Sequence, residues 1–181
     1  MIYVHPSAVV EDGVELGEDV KVWHFAHVRE GARIGARSQV GKSCYIDHDV
    51  RIGSGCKIQN FVSVYAGVTL EDDVFVGPSV TFTNDLFPRV GRDWELVPTL
   101  VHRGASLGAN ATLVCGNDIG EYALVAAGSV VTHPVGEHEV VAGVPARRIG
   151  FVCRCGRRVA GRPEGCPHGG TGRSSDRGTA P

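Results

Sequence analysis

An all-β chain wound as a three-sided parallel coil is what this sequence predicts, on two repeating positions and one interruption. From Val4 to Phe82 every sixth residue is large and apolar, passing through Leu16, Val28, Ile46, Ile58 and Val76. A helix repeats near 3.6 residues and a strand at two, so a sustained period of six belongs to neither alone. Four residues after each large position comes a small or apolar one, as at Ala8, Ala26, Ala32, Cys44 and Cys56. The register lapses after Phe82 and resumes at Val101, 19 residues on, a step that is not a multiple of six.

Each element follows from that pattern. One hexad makes one short strand and one turn, the unit of a hexapeptide β-helix, with the large residue on the axis and the small one inside the corner. Gly17, Gly35, Gly41, Gly53 and Gly77, each directly after a large residue, supply corners. Three hexads make an 18-residue coil, so residues 18 apart stack along one edge. Fourteen hexads before the break and six after it, to Val131, predict about 6.7 coils, a column roughly 32 Å tall at ~4.8 Å per strand. The predicted organisation is a β-helix domain over 1–150 with a protruding loop at 83–100, then a Cys/Arg/Gly-rich flexible tail over 151–181.

Composition narrows the function. The net charge is −2, but Cys153 to Pro181 carries six Arg against Glu164 and Asp176. Those arginines lie among Gly, Ser and Pro without interleaved aromatics, the composition of a solvated tail, so nucleic-acid binding is not expected. With no charged and apolar leader and no long apolar run, neither secretion nor membrane insertion is expected. Cys44 and Cys56 at inward positions suit reduced thiols packed as small hydrophobes, and hence a cytoplasmic enzyme.

Corners that give up glycine are candidates for function. The edge after Val28, Ile46, Val64 and Phe82 carries Arg29, Asp47, Tyr65 and Thr83, then Glu30, His48, Ala66 and Asn84. Another carries Gln59 and Asn60. The loop opens with FTNDLFPR, which places Asn84, Asp85 and Arg89 at its entrance; a projection of this length from a regular column is functional more often than not. At the far end GANATL, AAGSVV and AGVPARRIG predict small residues at successive turns, around Gly108, Ala126, Ala127 and Pro145. An elongated ligand can lie on such a backbone, with Arg147 and Arg148 available for phosphate.

NFVSVYAGVTLEDDVFVGPSVTFTNDLFPR, RGASLGANATLVCG and AGVPARRIG resemble the trimeric hexapeptide-repeat acyltransferases, specifically the acetyl-CoA-dependent N-acetyltransferases of nucleotide-linked amino sugars. The resemblance spans about His5 to Gly150. It implies a left-handed parallel β-helix, a homotrimer, acetyl-CoA as co-substrate and a nucleotide-linked amino sugar as acceptor. A dTDP-3-amino-3,6-dideoxyhexose is favoured over a UDP-2-acetamido-3-amino-uronic acid. Asn84 matches the family's active-site asparagine and would orient the amine or sugar. Asp85 would meet the ammonium and accept its proton; His48, solvent or the departing sulfur are the alternatives. Arg29, Gln59, Asn60, Tyr65 and Arg89 would contact the nucleotide sugar, and Gly108, Ala126, Ala127, Pro145, Arg147 and Arg148 the coenzyme. His24 and His27 are expected to pack or to lie at an interface. The competing functions are a non-catalytic trimeric scaffold and a β-helical carbonic anhydrase.

The ending departs from the family's zinc-ribbon-like form. Cys153, Cys155 and Cys166 are present but the last cysteine is replaced, leaving His168 as the only further ligand nearby. Cys-x-Cys and Cys-x-His are tighter than the usual two-residue gaps. The expectation is a degenerate, flexible tail without metal, with a Cys₃His zinc set as the alternative.

Overall fold

The computed structural model describes residues 1–91 and 93–168. Its strands are mostly two residues long and stack into three parallel sheets, with no helix among the described residues. The first sheet runs through Tyr3–Val4, Lys21–Val22, Gln39–Val40, Lys57–Ile58, Phe75–Val76, Ser106–Leu107, Leu124–Val125 and Glu139–Gly143. The second and third sheets each take the next hexad, so the chain visits the three in rotation. Partners along the column are 18 apart, as at Lys57↔Phe75 and Val28↔Ile46. Across the interruption they are 31 apart, as at Leu70↔Val101, so 13 extra residues leave the wall there.

The axis is filled as the period requires. Val22, Val28, Val40, Ile46, Ile58, Val64, Phe82, Leu107 and Leu113 belong to one apolar cluster running up the column, each almost wholly buried. Full burial of a side chain of this size is worth about 1.5–3 kcal/mol, and short strands with no helix to cover them depend on it. Corner glycines let the coils approach: a Cβ on Gly35 would lie 2.5 Å from the carbonyl carbon of Gly53. Cys44 and Cys56 are buried as expected, their thiols donating to the carbonyls of Gln59 at 2.8 Å and Glu71 at 3.0 Å. Burial pushes both thiols up to about 11.

The column is taller than the hexad count predicts, with eight rungs in the first sheet. The residues of Thr132-His133-Pro134 shorten one side, so Ile119 bridges Val135 and Leu124 pairs with Val140, only 16 residues on. This two-residue deletion ends the period of six while the coil itself continues.

AGVPARRIG also differs from the expected turn. Glu139–Gly143 and Ala146–Val152 form an antiparallel hairpin that reverses at Val144-Pro145, and Phe151–Val152 then pairs with Arg158–Val159. The expected boundary after residue 150 therefore falls inside a strand. The remainder of the expected tail, residues 169–181, lies outside the described residues.

Candidate active site on two edges of the column

The loop is anchored at its base. Leu96 packs on Gly67, where a Cβ would meet its side chain at 2.9 Å. The Val97 amide donates to the Asn84 carbonyl at 2.9 Å, and the Gly116 amide to the carbonyl of Pro98 at 3.1 Å. Beyond this clamp Leu86, Phe87, Val90 and Trp94 stand exposed. Asp85, Pro88, Arg89, Val90 and Trp94 line a cleft of about 340 Å³. One Asp85 oxygen accepts the Phe87 amide at 2.8 Å, which fixes the turn, and the second has no hydrogen-bond partner among the described residues. Among the described residues Arg89 reaches back only to the neighbouring Pro88 carbonyl, at 2.8 Å.

Beneath the loop lies a polar ladder. Asn84 donates its side-chain amide to the Ala66 carbonyl at 3.4 Å, and the Ala66 amide donates to Asp47 at 3.2 Å. Asp47 is buried and also accepts the His48 amide at 2.8 Å and the Tyr45 hydroxyl at 3.0 Å. Burial works against its charge, yet these hydrogen bonds outweigh it and its carboxyl ends below the usual range. His48, two coils below Asn84, pairs its Nδ1 with Asp49 at 3.0 Å. Tyr65 is exposed with its ring 5.7 Å from that of Tyr45, which in turn meets His27 at 5.6 Å.

Arg29 sits in the same ladder, but with its guanidinium already engaged rather than vacant for the nucleotide sugar. Its guanidinium lies 2.7 Å from Glu30, 3.2 Å from Asp47 and 3.7 Å from Glu11. With Tyr45 the largest contributor, these neighbours raise its pKa further. His27 is paired with Glu11 at 2.6 Å, consistent with a packed rather than a catalytic residue.

Gln59 and Asn60 do not lie below the loop. They follow the first-sheet strand Lys57–Ile58, whereas Asn84 follows the second-sheet strand Thr81–Phe82, so a face of the column separates them. Their edge is the one that bears Gly108, Ala126, Ala127 and, one rung further, the hairpin leading to Pro145. On this edge one corner amide of a lower coil is capped by a side chain of the next coil: Asn60 accepts the Lys42 amide at 2.9 Å. At Ala109 and Ala127 the neighbouring coil offers no such side chain, and neither amide has a partner among the described residues. Ala109 escapes a sequence analysis that weighs residue type, since the signal is a missing cap and not a chemical group.

Gly108 is required for stacking, since a Cβ there would meet the Ala127 nitrogen at 2.4 Å. Its own amide and carbonyl are taken by Val125 and Ala111. Of the two arginines, Arg148 is tied to Glu139 at 3.0 Å and lies over the Phe151 ring at 5.4 Å. Arg147 is exposed and among the described residues reaches only the Ala146 carbonyl, at 3.0 Å.

This fold is that of a hexapeptide-repeat transferase: the bacterial transferase hexapeptide family (six repeats) matches residues 31–65 and 49–84, and the hexapeptide repeat of succinyl-transferase matches 103–133. Over 154 residues, 84% of this chain and 80% of the relative, the sequence is 52% identical to dTDP-3-amino-3,6-dideoxy-alpha-D-galactopyranose 3-N-acetyltransferase of Aneurinibacillus thermoaerophilus, and the chain belongs to this family of hexapeptide-repeat acetyltransferases. A hexapeptide-repeat acetyltransferase of Vibrio cholerae, solved with acetyl coenzyme A, superposes with a TM-score of 0.60 at 28% identity, over 67% of this chain and 70% of that one. A hexapeptide transferase family protein of Anaplasma phagocytophilum shares the fold, with a TM-score of 0.51 at 19% identity over 83% and 79% of the two chains. No helix among the described residues is long and apolar enough to cross a membrane.

Proposed function

We propose that this chain transfers the acetyl group of acetyl-CoA to the 3-amino group of a dTDP-linked 3-amino-3,6-dideoxyhexose, and does so as a homotrimer in the cytoplasm. The observation that carries the reading is the 52% identity, over 84% of the chain, to an enzyme of that activity.

The split of candidate residues over two edges supports the trimer. Loop residues Asn84, Asp85 and Arg89 cannot meet Ala109, Ala127 and Arg147 within one column, but the loop edge of one copy can face the small-residue edge of the next. Phe25 and Phe61 stand on that second edge 62% and 55% exposed, both in the left-handed region with φ of 57° and 62°. A bulky apolar residue held there in solvent is costly, and a neighbouring copy would cover it. Closed three-fold symmetry then repeats the same contact three times.

In this arrangement the free amides of Ala109 and Ala127 hydrogen-bond the pantetheine arm, and Arg147 meets a coenzyme phosphate. The nucleotide sugar enters under the loop, with Arg89 at its diphosphate and Tyr65 alongside. Asn84 orients the amine, and Asp85 hydrogen-bonds the ammonium and takes its proton. The neutral amine then attacks the thioester carbonyl, the carbon–sulfur bond breaks, and the departing CoA thiolate takes the proton that the nitrogen sheds, leaving the amide and free CoA thiol. An amide cannot act as a base at neutral pH, so the proton is not assigned to Asn84. Holding two reactants in one cleft supplies much of the acceleration.

The test is release of free CoA thiol with a panel of dTDP- and UDP-linked amino sugars. Turnover is expected with the dTDP-3-amino-3,6-dideoxyhexoses. Turnover with UDP-linked uronic acids alone would replace the acceptor, and absence of turnover with every amine would leave the scaffold.

A further inference from the structure

The chain beyond Val152 has almost nothing apolar to hold it. Cys153 is the one buried residue there among the described ones, and the rest are half-buried or exposed. A segment without a core needs a cross-link or a metal to fix it. Yet Cys153, Cys155, Cys166 and His168, from both ends of this stretch, bring their ligand atoms within 4.8 Å of one another.

The backbone explains the first pair. The strand Ala146–Val152 ends in a tight turn, with the Gly156 amide donating to the Cys153 carbonyl at 2.8 Å and the Cys153 amide to Arg157 at 2.9 Å. Gly156 holds a φ of +86°, which a side chain would resist. The turn returns the Cys155 sulfur to 2.8 Å from that of Cys153. The turn thus satisfies a Cys-x-Cys spacing that looks too tight in sequence. From the other end, Cys166 comes within 3.8 Å of the Cys153 sulfur, and His168 Nδ1 within 3.3 and 3.5 Å of the Cys153 and Cys155 sulfurs.

We propose that Cys153, Cys155, Cys166 and His168 hold one structural zinc ion. Tetrahedral zinc with bonds of about 2.3 Å to sulfur and 2.0–2.1 Å to nitrogen sets its ligands about 3.8 Å apart between sulfurs and about 3.5 Å between sulfur and nitrogen. Three of the four distances match these edges, and the Cys153–Cys155 edge opens by about 1 Å to accept the ion. Soft thiolates with one imidazole select zinc over the hard cations. Four protein ligands leave no open position, so the ion fastens the chain and takes no part in acyl transfer. What it fastens is the end of the column: Val152 exchanges hydrogen bonds with His138, whose ring stacks on Tyr122 at 5.3 Å, and Arg162 pairs with Glu137.

The experiment is metal analysis of the full-length, untagged protein purified after growth with added zinc. One zinc per chain is expected, and exchange for cobalt should give thiolate-to-cobalt charge-transfer bands with the intense red absorption of a tetrahedral site. His168→Ala and Cys166→Ser act at exposed and half-buried positions, so the column stays folded by circular dichroism while bound zinc falls well below half an ion per chain. Cys115→Ala, a buried thiol outside the cluster, keeps its zinc. Metal-free wild type, undiminished zinc in both ligand variants, or a Cys153–Cys155 disulfide in place of the ion would overturn the site.

Discussion

Asn84 hangs from Ala66: its side-chain amide donates to the Ala66 carbonyl one coil below, while Asp47 holds the Ala66 amide from beneath. The three residues form a chain from a buried carboxylate to the loop entrance. Asn84→Ala should lower kcat/KM for the amino sugar about 10²–10³-fold, the cost of losing one oriented polar group at a reacting centre. Asp47→Asn, which keeps the shape and removes the charge, should lower kcat about tenfold with KM little changed, since it loosens the perch and touches neither substrate. Steady-state kinetics on both variants checks this, and wild-type kcat/KM in Asn84→Ala would remove Asn84 from the mechanism.

The two arginines expected at the nucleotide sugar should behave differently. Arg89 is exposed and among the described residues bonds only the Pro88 carbonyl, so Arg89→Gln should raise KM for the nucleotide sugar about tenfold, with little change in melting temperature. Arg29 is surrounded by Glu11, Glu30 and Asp47, and removing it leaves the buried Asp47 carboxylate without its cation. Arg29→Met should therefore lower the melting temperature and leave that KM within about twofold. Thermal melts and kinetics on the same two preparations separate the cases, and a raised KM in Arg29→Met would return that residue to the substrate.

Much of this was legible in the residues because the period of six is a direct image of the coil. Val28, Ile46 and Phe82 could be placed on one axis, and Asn84 above Ala66, by counting alone. Two local events could not be counted. The deletion around Pro134 removes two residues without breaking the wall, because the parallel ladder needs Leu124 to meet Val140 and is indifferent to how many residues the turn contains. The reversal at Val144-Pro145 reads in sequence like another small-residue turn, although its strands run antiparallel. Residue type also suggested a ligand at Arg29, where two of the carboxylates that engage it, Glu11 and Asp47, come from positions 18 residues away on either side. The free amides of Ala109 and Ala127 are a property of the adjacent coil, which no inspection of those two residues can supply.

The two inward cysteines give the column an alkaline limit. Burial raises the Cys44 and Cys56 thiols to about 11, against roughly 8.5–9 for an exposed thiol. Between those values the unfolded chain has released protons that the folded chain retains, so stability falls as pH rises. Their stabilisation is fully present below about pH 8.5 and declines up to about pH 11, by up to about 2–3 kcal/mol for each thiol. Melting temperature measured from pH 8 to 11 should fall, and the double variant Cys44→Ala/Cys56→Ala should show a shallower slope whatever its starting stability. In alkylation at neutral pH the same two thiols should stay unmodified, and rapid modification of either in the folded protein would contradict their burial.

Whether the site is shared between copies can be decided by mixing two dead enzymes. Asn84→Ala damages the loop edge alone. Ala127→Trp, at an exposed position on the other edge, fills the path of the coenzyme without disturbing the axis. If each cleft takes its loop from one copy and its small-residue edge from the next, a site in a mixed trimer is intact when the loop comes from the Ala127→Trp chain and the edge from the Asn84→Ala chain. Random assembly of equal amounts makes that combination in about one site in four, so co-refolded or co-expressed chains should regain about a quarter of wild-type CoA release. A cleft built within a single column could never be repaired in this way, because every chain would carry one of the two lesions. Activity that stays at the level of the separate variants, in trimers proven mixed by mass spectrometry, would therefore place the whole reaction on one chain.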